Sequence, residues 1–278
     1  MLSLPIDPNT AQCFAALLLA HVLADFTFQT NWMVQNKRKP LVLLLHIAMV
    51  FILSTALLGG VWQVALLVAL AHLVIDAVKT WALPEPMRSS LTAFLIDQGA
   101  HMITLIAAAL WWPGAIAQGA WAEYAPIALP LVILLAGFIT SVTAGGYVVG
   151  MLTGRYQAIG NMPKPDLPES DLQDAGLSDA GHSDLGLLDS GLPDAGRLIG
   201  QLERCMIFLL VMIGQPAGVG FLIAAKSVLR LDTAKQGRQA SEYVIIGTLA
   251  SFAWALGATY VTLALLEIAV LEIAVPVP

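Results

Sequence analysis

Three pairs of ionisable residues share one spacing: His21 and Asp25, His72 and Asp76, and Asp97 and His101 each stand four positions apart. Residues four apart on a helix lie on one face, so each pair presents an imidazole and a carboxylate together. Gln29 continues the first stripe, Lys79 continues the second, and His46 stands in a separate apolar run. Imidazole and carboxylate on facing helices are the ligands that a borderline divalent ion such as zinc selects. Four histidines and three aspartates exceed one tetrahedral site. They suit two ions, or one ion with further carboxylates orienting its imidazoles. Two other readings stay open: a relay for protons or substrate, and interhelical hydrogen bonds acting as glue. Glue is the simplest account of any one residue alone, Gln29 and Gln98 above all.

The elements that must carry these residues are membrane spans. Apolar residues make up 58% of the 278 and charged residues 12%, against about 45–50% and 25% in ordinary globular domains. Runs of the length a span needs, about 20 residues, fall at 11–32, 41–58, 61–83, 91–112 and 126–152, then at 198–231 and 243–270. The reading is an all-α polytopic transmembrane bundle of about seven membrane segments. Residues 1–10 carry no Lys or Arg, so the first run is expected to remain as a span and not to be cleaved as a signal peptide. Cys13 and Cys205 make neither a disulfide framework nor a metal-ligand spacing.

Lys and Arg are retained on the cytoplasmic side, so Lys37, Arg38 and Lys39 put the loop after the first span inside and the N-terminus outside. Lys79, Arg88 and Arg155 then also fall inside, and Trp111, Trp112 and Trp121 mark an outer interface. At about 1.5 Å per residue, Asp25 lies roughly 18 Å from Lys37, His46 roughly 10 Å from Lys39, Asp76 about 12 Å from Pro84 and Asp97 about 13 Å from Arg88. Four helices thus carry their polar residues in one layer of the cytoplasmic half. Ionisable residues at that depth are costly and mark function.

The chain divides into three: a five-span bundle at 1–156, an acidic linker at 157–196 and C-terminal membrane segments at 197–278. In the linker Asp174, Asp179, Asp184, Asp189 and Asp194 recur every five residues, each followed two later by glycine. Units so short and apolar-poor bury too little surface to offset ordering entropy, so a disordered cytoplasmic tether is expected in preference to a calcium-binding array. Eight of the nineteen acids and one of the thirteen bases lie at 161–196, which leaves eleven acids against twelve bases elsewhere. No concentrated basic surface for nucleic acid is present. The 198–231 run is too long for one span and is interrupted at Gly214-Gln215-Pro216-Ala217-Gly218. A helical hairpin turning there keeps Lys226, Arg230, Lys235 and Arg238 inside, as a single crossing does not. Arg204, Lys226 and Arg230 are candidate contacts for a lipid head group or phosphate, set against ordinary snorkelling at helix ends.

The runs His21-Val-Leu-Ala-Asp25-Phe-x-x-Gln29, Asn36-Lys37, His46, His72-x-x-Ile-Asp76-x-x-Lys79 and Phe94-x-x-Asp97-Gln98-x-x-His101 resemble domain-of-unknown-function family 3307. Gly196-Arg197-x-Ile199-Gly200-x-Leu202-Glu203-Arg204, Ala225-Lys226-Ser227 and Glu242-Tyr243-x-x-Ile246-Gly247-Thr248 resemble its longer members. The resemblance covers 16–101 and 196–252. It implies a polytopic bacterial or phage membrane protein, hence the bacterial inner membrane, and implies no activity. The two His-x-x-x-Asp pairs are also locally similar to the ion site of cation-diffusion zinc transporters.

Two functions then compete. In a metal-dependent hydrolase of a phosphate-bearing or lipid-linked substrate, His21, Asp25, His46, His72, Asp76 and His101 are the metal ligands. Asp97 is then the base, and Lys79 stabilises developing negative charge. In a divalent-cation or proton-coupled transporter the same groups bind an ion transiently between alternate openings. A scaffold whose polar pairs are glue is the third reading. The bilayer is the expected partner in each.

Overall fold

In this computed structural model the described residues are 7–160, 195–229 and 238–270. The Asp/Gly repeat and Arg230 lie outside them. Among the described residues all regular structure is helical: α1 (Pro8–Leu23), α2 (Asn31–Asn36), α3 (Pro40–Leu57), α4 (Trp62–Ala77), α5 (Leu91–Trp111), α6 (Ala115–Gln118), α7 (Ala125–Ile139), α8 (Gly145–Gly160), α9 (Ala195–Met212), α10 (Ala217–Leu229) and α11 (Arg238–Val270). Six stretches are long and apolar enough to cross a membrane: Pro8–Phe28, Pro40–Leu57, Trp62–Ala82, Leu91–Trp111, Ala122–Gly154 and Ile245–Val270. The protein is an all-α, multi-pass helical bundle of the membrane type.

Sequence chemistry sets the helix starts. Pro8 begins α1 while Asp7 accepts from the Thr10 amide at 3.3 Å, and Ser90 caps α5 by accepting from the Ala93 amide at 3.1 Å. Pro40 opens α3, where a missing N–H costs nothing. α1 is the axis of the bundle. It packs on α3, α5, α7 and α11, and 61% of its apolar window is buried against 28–44% in the other five. Its inner faces carry Ala11, Ala15, Ala16 and Ala20, small residues that let neighbouring backbones approach without a hydrophobic drive. A side chain at Gly137 would strike Thr262 of α11, with Oγ1 at 2.1 Å, so α7 and α11 also meet closely.

At one end, α3 turns into α4 through Gly59 and Gly60, with φ of 67° and 94°. The Gly59 carbonyl accepts from the Ala120 amide at 2.8 Å, and Trp121 Nε1 donates to the Ala56 carbonyl at 2.6 Å. Trp121 thus stands at the end away from Lys37.

The expected seventh segment folds back. α9 and α10 are joined across Gly214 (φ 74°), and Leu210 on one arm lies against Gly218 on the other. Lys226 reaches Glu203 at 2.6 Å, so the two arms run antiparallel.

Three helices end or bend in a π-helical turn: Ala24–Phe28 after α1, Val78–Ala82 after α4 and Thr140–Ala144 between α7 and α8. A π turn bonds i to i+5 and often marks a functional position. Here the three turns hold Asp25, Lys79 and Val142.

Candidate functional site

Four helices bring their polar residues to one place. The side chains of His21 (α1), His46 (α3), His72 and Asp76 (α4), and Asp97 and His101 (α5) are all buried. His46 Nε2 and His72 Nε2 stand 3.1 Å apart. Asp25 Oδ1 lies 3.3 Å from the first and 3.4 Å from the second, and Asp76 Oδ2 lies 3.5 Å from both. A tetrahedral ion with bonds of about 2.0–2.1 Å separates its ligand atoms by about 3.3–3.4 Å. All five distances fall within 0.3 Å of that spacing.

Hydrogen bonding accounts poorly for the same atoms. Each Nε2 faces the other imidazole and two carboxylate oxygens, yet carries at most one hydrogen. Asp25 Oδ1 is buried without a hydrogen-bond partner, and leaving such an atom unsatisfied costs about 1–3 kcal/mol, more when it is charged. A cation beside the two Nε2 atoms would take up their lone pairs together with a carboxylate oxygen. The ligand atoms of His46, His72 and Asp76 lie within 4.8 Å of one another, as do those of His21, Asp25 and His72, so His72 belongs to both groups.

The remaining candidates surround this centre. His21 Nε2 pairs with Gln98 Oε1 at 3.2 Å, and its Nδ1 is 3.9 Å from Asp25 Oδ2. Gln98 Nε2 donates to Asp25 Oδ2 and Asp97 Oδ2, each at 3.3 Å. His101 Nδ1 lies 2.8 Å from the Asp97 carbonyl and donates to it, which fixes the tautomer. His101 Nε2 then keeps a lone pair that is buried without a partner, with its ring 4.0 Å from that of His72. Lys79 reaches Asp97 at 2.8 Å.

Two participants were not singled out from the sequence. Lys37 served only as an orientation marker, yet its Nζ lies 2.8 Å from both carboxylate oxygens of Asp76. The segment after α1 brings it there: Gln29 is extended, Thr30 caps α2 by accepting from the Met33 amide at 3.3 Å, and the chain turns back into α3. Gln98, read as glue, is the hydrogen-bond hub between His21, Asp25 and Asp97. The available signals were Asn36-Lys37 within the family-like runs and the place of Gln98 beside Asp97.

A cavity of about 510 Å³ opens beside the cluster, lined by Asp25, Asp97 and Gln98 together with Lys37, Lys79 and Arg88. The head-group candidates lie elsewhere. Arg204 is buried in α9, Lys226 pairs with Glu203, and Arg230 is outside the described residues.

No curated protein and no solved structure matches the chain. A family model does match, over residues 13–125, under the description protein of unknown function (DUF3307). That stretch carries α1 to α6 and every residue of the His/Asp cluster, while the runs at 196–252 lie beyond it. Residues 13–125, and with them the whole cluster, are thus similar to this family of proteins of unknown function.

Proposed function

We propose that the His/Asp cluster holds a divalent metal ion, zinc by ligand type, and that the protein is a metal-dependent hydrolase of a phosphate-bearing, lipid-linked substrate. The observation that carries the metal reading is the convergence of His46 Nε2, His72 Nε2, Asp25 Oδ1 and Asp76 Oδ2 at 3.1–3.5 Å. When bound, the ion would supply Lewis acidity for a phosphoryl oxygen and for water. His46, His72 and Asp76 would hold it, with Asp25 beside them. Gln98 orients His21 and Asp25, a supporting layer whose loss in metal sites typically costs 10–100-fold in affinity or activity.

The choice of hydrolase over transporter rests on the cavity. Asp25, Asp76 and Asp97 carry three negative charges against two on Lys37 and Lys79, so a divalent ion brings the cluster to a net positive charge. On the cavity wall Arg88 is paired with Glu85, and Arg38 adds another cation. Such a wall attracts a phosphate and repels a permeating cation. Asp97, paired with Lys79, retains a buried Oδ1 without a hydrogen-bond partner. It serves as the base, while Lys79 stabilises negative charge on the phosphoryl group.

A transport reading keeps one specific support: the His46–His72 contact at 3.1 Å also suits two imidazoles sharing a proton. Elemental analysis of the detergent-purified protein and phosphate release from dioctanoyl phosphatidic acid decide between the two. Near-stoichiometric metal is expected, and Lys79→Met is expected to abolish phosphate release while metal stays bound. Unchanged release in Lys79→Met, with metal uptake into proteoliposomes, would exclude the hydrolase.

We also infer a bacterial inner-membrane location with the N-terminus outside and the acidic linker cytoplasmic, supported by the placing of Lys37, Lys79 and Arg88 at one end of the bundle. Single-cysteine variants at Asp7 and Ser183 test this in intact cells. Labelling at Asp7 alone is expected, and labelling at Ser183 alone reverses the orientation.

A further inference from the structure

Arg204 is a buried cation held by neutral acceptors. It is 3% exposed, in the middle of α9. Its Nε donates to the Val142 carbonyl and one terminal nitrogen donates to Ser251 Oγ, both at 3.1 Å. Among the described residues no carboxylate comes within 4 Å of the guanidinium. Its sequence neighbour Glu203 is turned to Lys226 at 2.6 Å. Burying an arginine with only neutral acceptors is expensive, and at membrane depth such a residue is a functional-site hypothesis by default.

The surroundings are shaped for it. A side-chain carbon at Gly145 would come within 3.0 Å of Arg204 Cδ, one at Gly146 within 3.1 Å of Nη2, and one at Gly200 within 3.3 Å of Nη1. The π turn at Thr140–Ala144 contributes the Val142 carbonyl that fixes Nε. The guanidinium is thus held in one orientation from behind.

In front of it is space. A cavity of about 610 Å³ between α8, α9 and α11 is lined by Arg204, Arg197, Lys226, Gln201, Thr248 and Ser251, among others. Its described lining residues include three cations and one carboxylate, Glu203. The fixed planar fork of an arginine matches two oxygens of a phosphate. We propose that this cavity is a second binding site, specific for a phosphate group, with Arg204 as its anchor and Arg197 at its mouth. The site is independent of the metal reading. Its wall at Tyr147 and Met151 is shared with the cavity beside the His/Asp cluster, so a phosphate held here lies next to the metal-side chamber.

Isothermal titration of the full-length protein in a non-ionic detergent tests this, with three probes: inorganic phosphate, dioctanoyl phosphatidic acid and dioctanoylglycerol. Both phosphates are expected to bind and the uncharged lipid is not. Equal affinity for the two phosphates identifies a free anion as the ligand, and at least tenfold tighter phosphatidic acid identifies a lipid head group. With a chelator present, Arg204→Gln is expected to weaken binding at least tenfold and Arg204→Lys by less. Arg197→Gln, on an exposed side chain, is expected to weaken it severalfold and serves if Arg204→Gln does not fold. Absence of phosphate binding by the wild type, or unchanged affinity in Arg204→Gln, overturns the proposal. So does unchanged affinity in Arg197→Gln should Arg204→Gln fail to fold.

Discussion

The His/Asp cluster and the Arg204 cavity lie side by side and have opposite electrostatics. In the cluster three carboxylates face two ammonium groups, and Asp25 Oδ1 and Asp97 Oδ1 stay buried without a hydrogen-bond partner. Around Arg204 three cations face one carboxylate, and the guanidinium rests on neutral acceptors. The first region lacks positive charge and the second lacks negative charge. Each nevertheless has fixed supporting contacts: Gln98 and the Nδ1 of His101 are held by hydrogen bonds, and Arg204 is cradled by three glycines. Uneven central charge on fixed supports is what the proposals of an external ion at each site rest on. A purely structural network has no reason to leave that charge over, because partly satisfied buried polar networks are less stable than apolar packing.

The comparison breaks most readily at Lys37. Removing one partner of a buried ion pair costs about 3–5 kcal/mol. With Lys37 partly open to the cavity, Lys37→Met is expected at the low end, about 3 kcal/mol, in a thermal melt with chelator present. Added metal should restore part of that loss, because an ion that binds only the folded state stabilises it. A melt unaffected by Lys37→Met would mean that Asp76 is not charged in the folded protein. A smaller effect is expected at Gln98. Gln98→Leu removes the hydrogen bonds to His21, Asp25 and Asp97 and should weaken metal binding by roughly 10–100-fold. Competition with a chromogenic chelator measures this, and the phosphate affinity of the Arg204 cavity should not move. If both affinities fall together, the two regions are one site. The smallest effect belongs to the linker. Deleting residues 172–192 should leave metal content and melting temperature unchanged, by elemental analysis and a thermal melt, and loss of folded protein would show the aspartate repeat to be structural.

The architecture was legible because bilayer-length apolar runs and charge bias act locally. The runs around His46 and His72 and the break at Gly214–Gly218 each carry their own signature. The gathering of His21, Asp25, His46, His72, Asp76, Asp97 and His101 was also legible, since four-residue spacing and equal depth are properties of single helices. Partner choice was not. Straight-helix spacing pairs Asp25 with His21, but Asp25 sits in a π turn, leaving Oδ2 3.9 Å from His21 while Oδ1 lies 3.3–3.4 Å from His46 and His72. A π turn depends on tertiary packing and leaves no clear mark in residue types. Lys37 was hidden for another reason. A lysine after a span is the commonest sign of orientation, and only the return of the chain through α2 carries this one back over Asp76.

The position of α1 bears on how the bundle is made. Gln12 in α1 donates to the Ala269 carbonyl near the end of α11 at 3.0 Å, and the two helices pack along one another. Of the described helices, α1 leaves the ribosome before the others and α11 after them. The helix with the largest buried share therefore waits through most of translation for a neighbour it will finally touch. Until then the face of α1 that meets α11 is open to lipid, while α3, α4 and α5, made earlier, can already gather around His21 and Asp25. The axis of the bundle is closed only when α11 arrives.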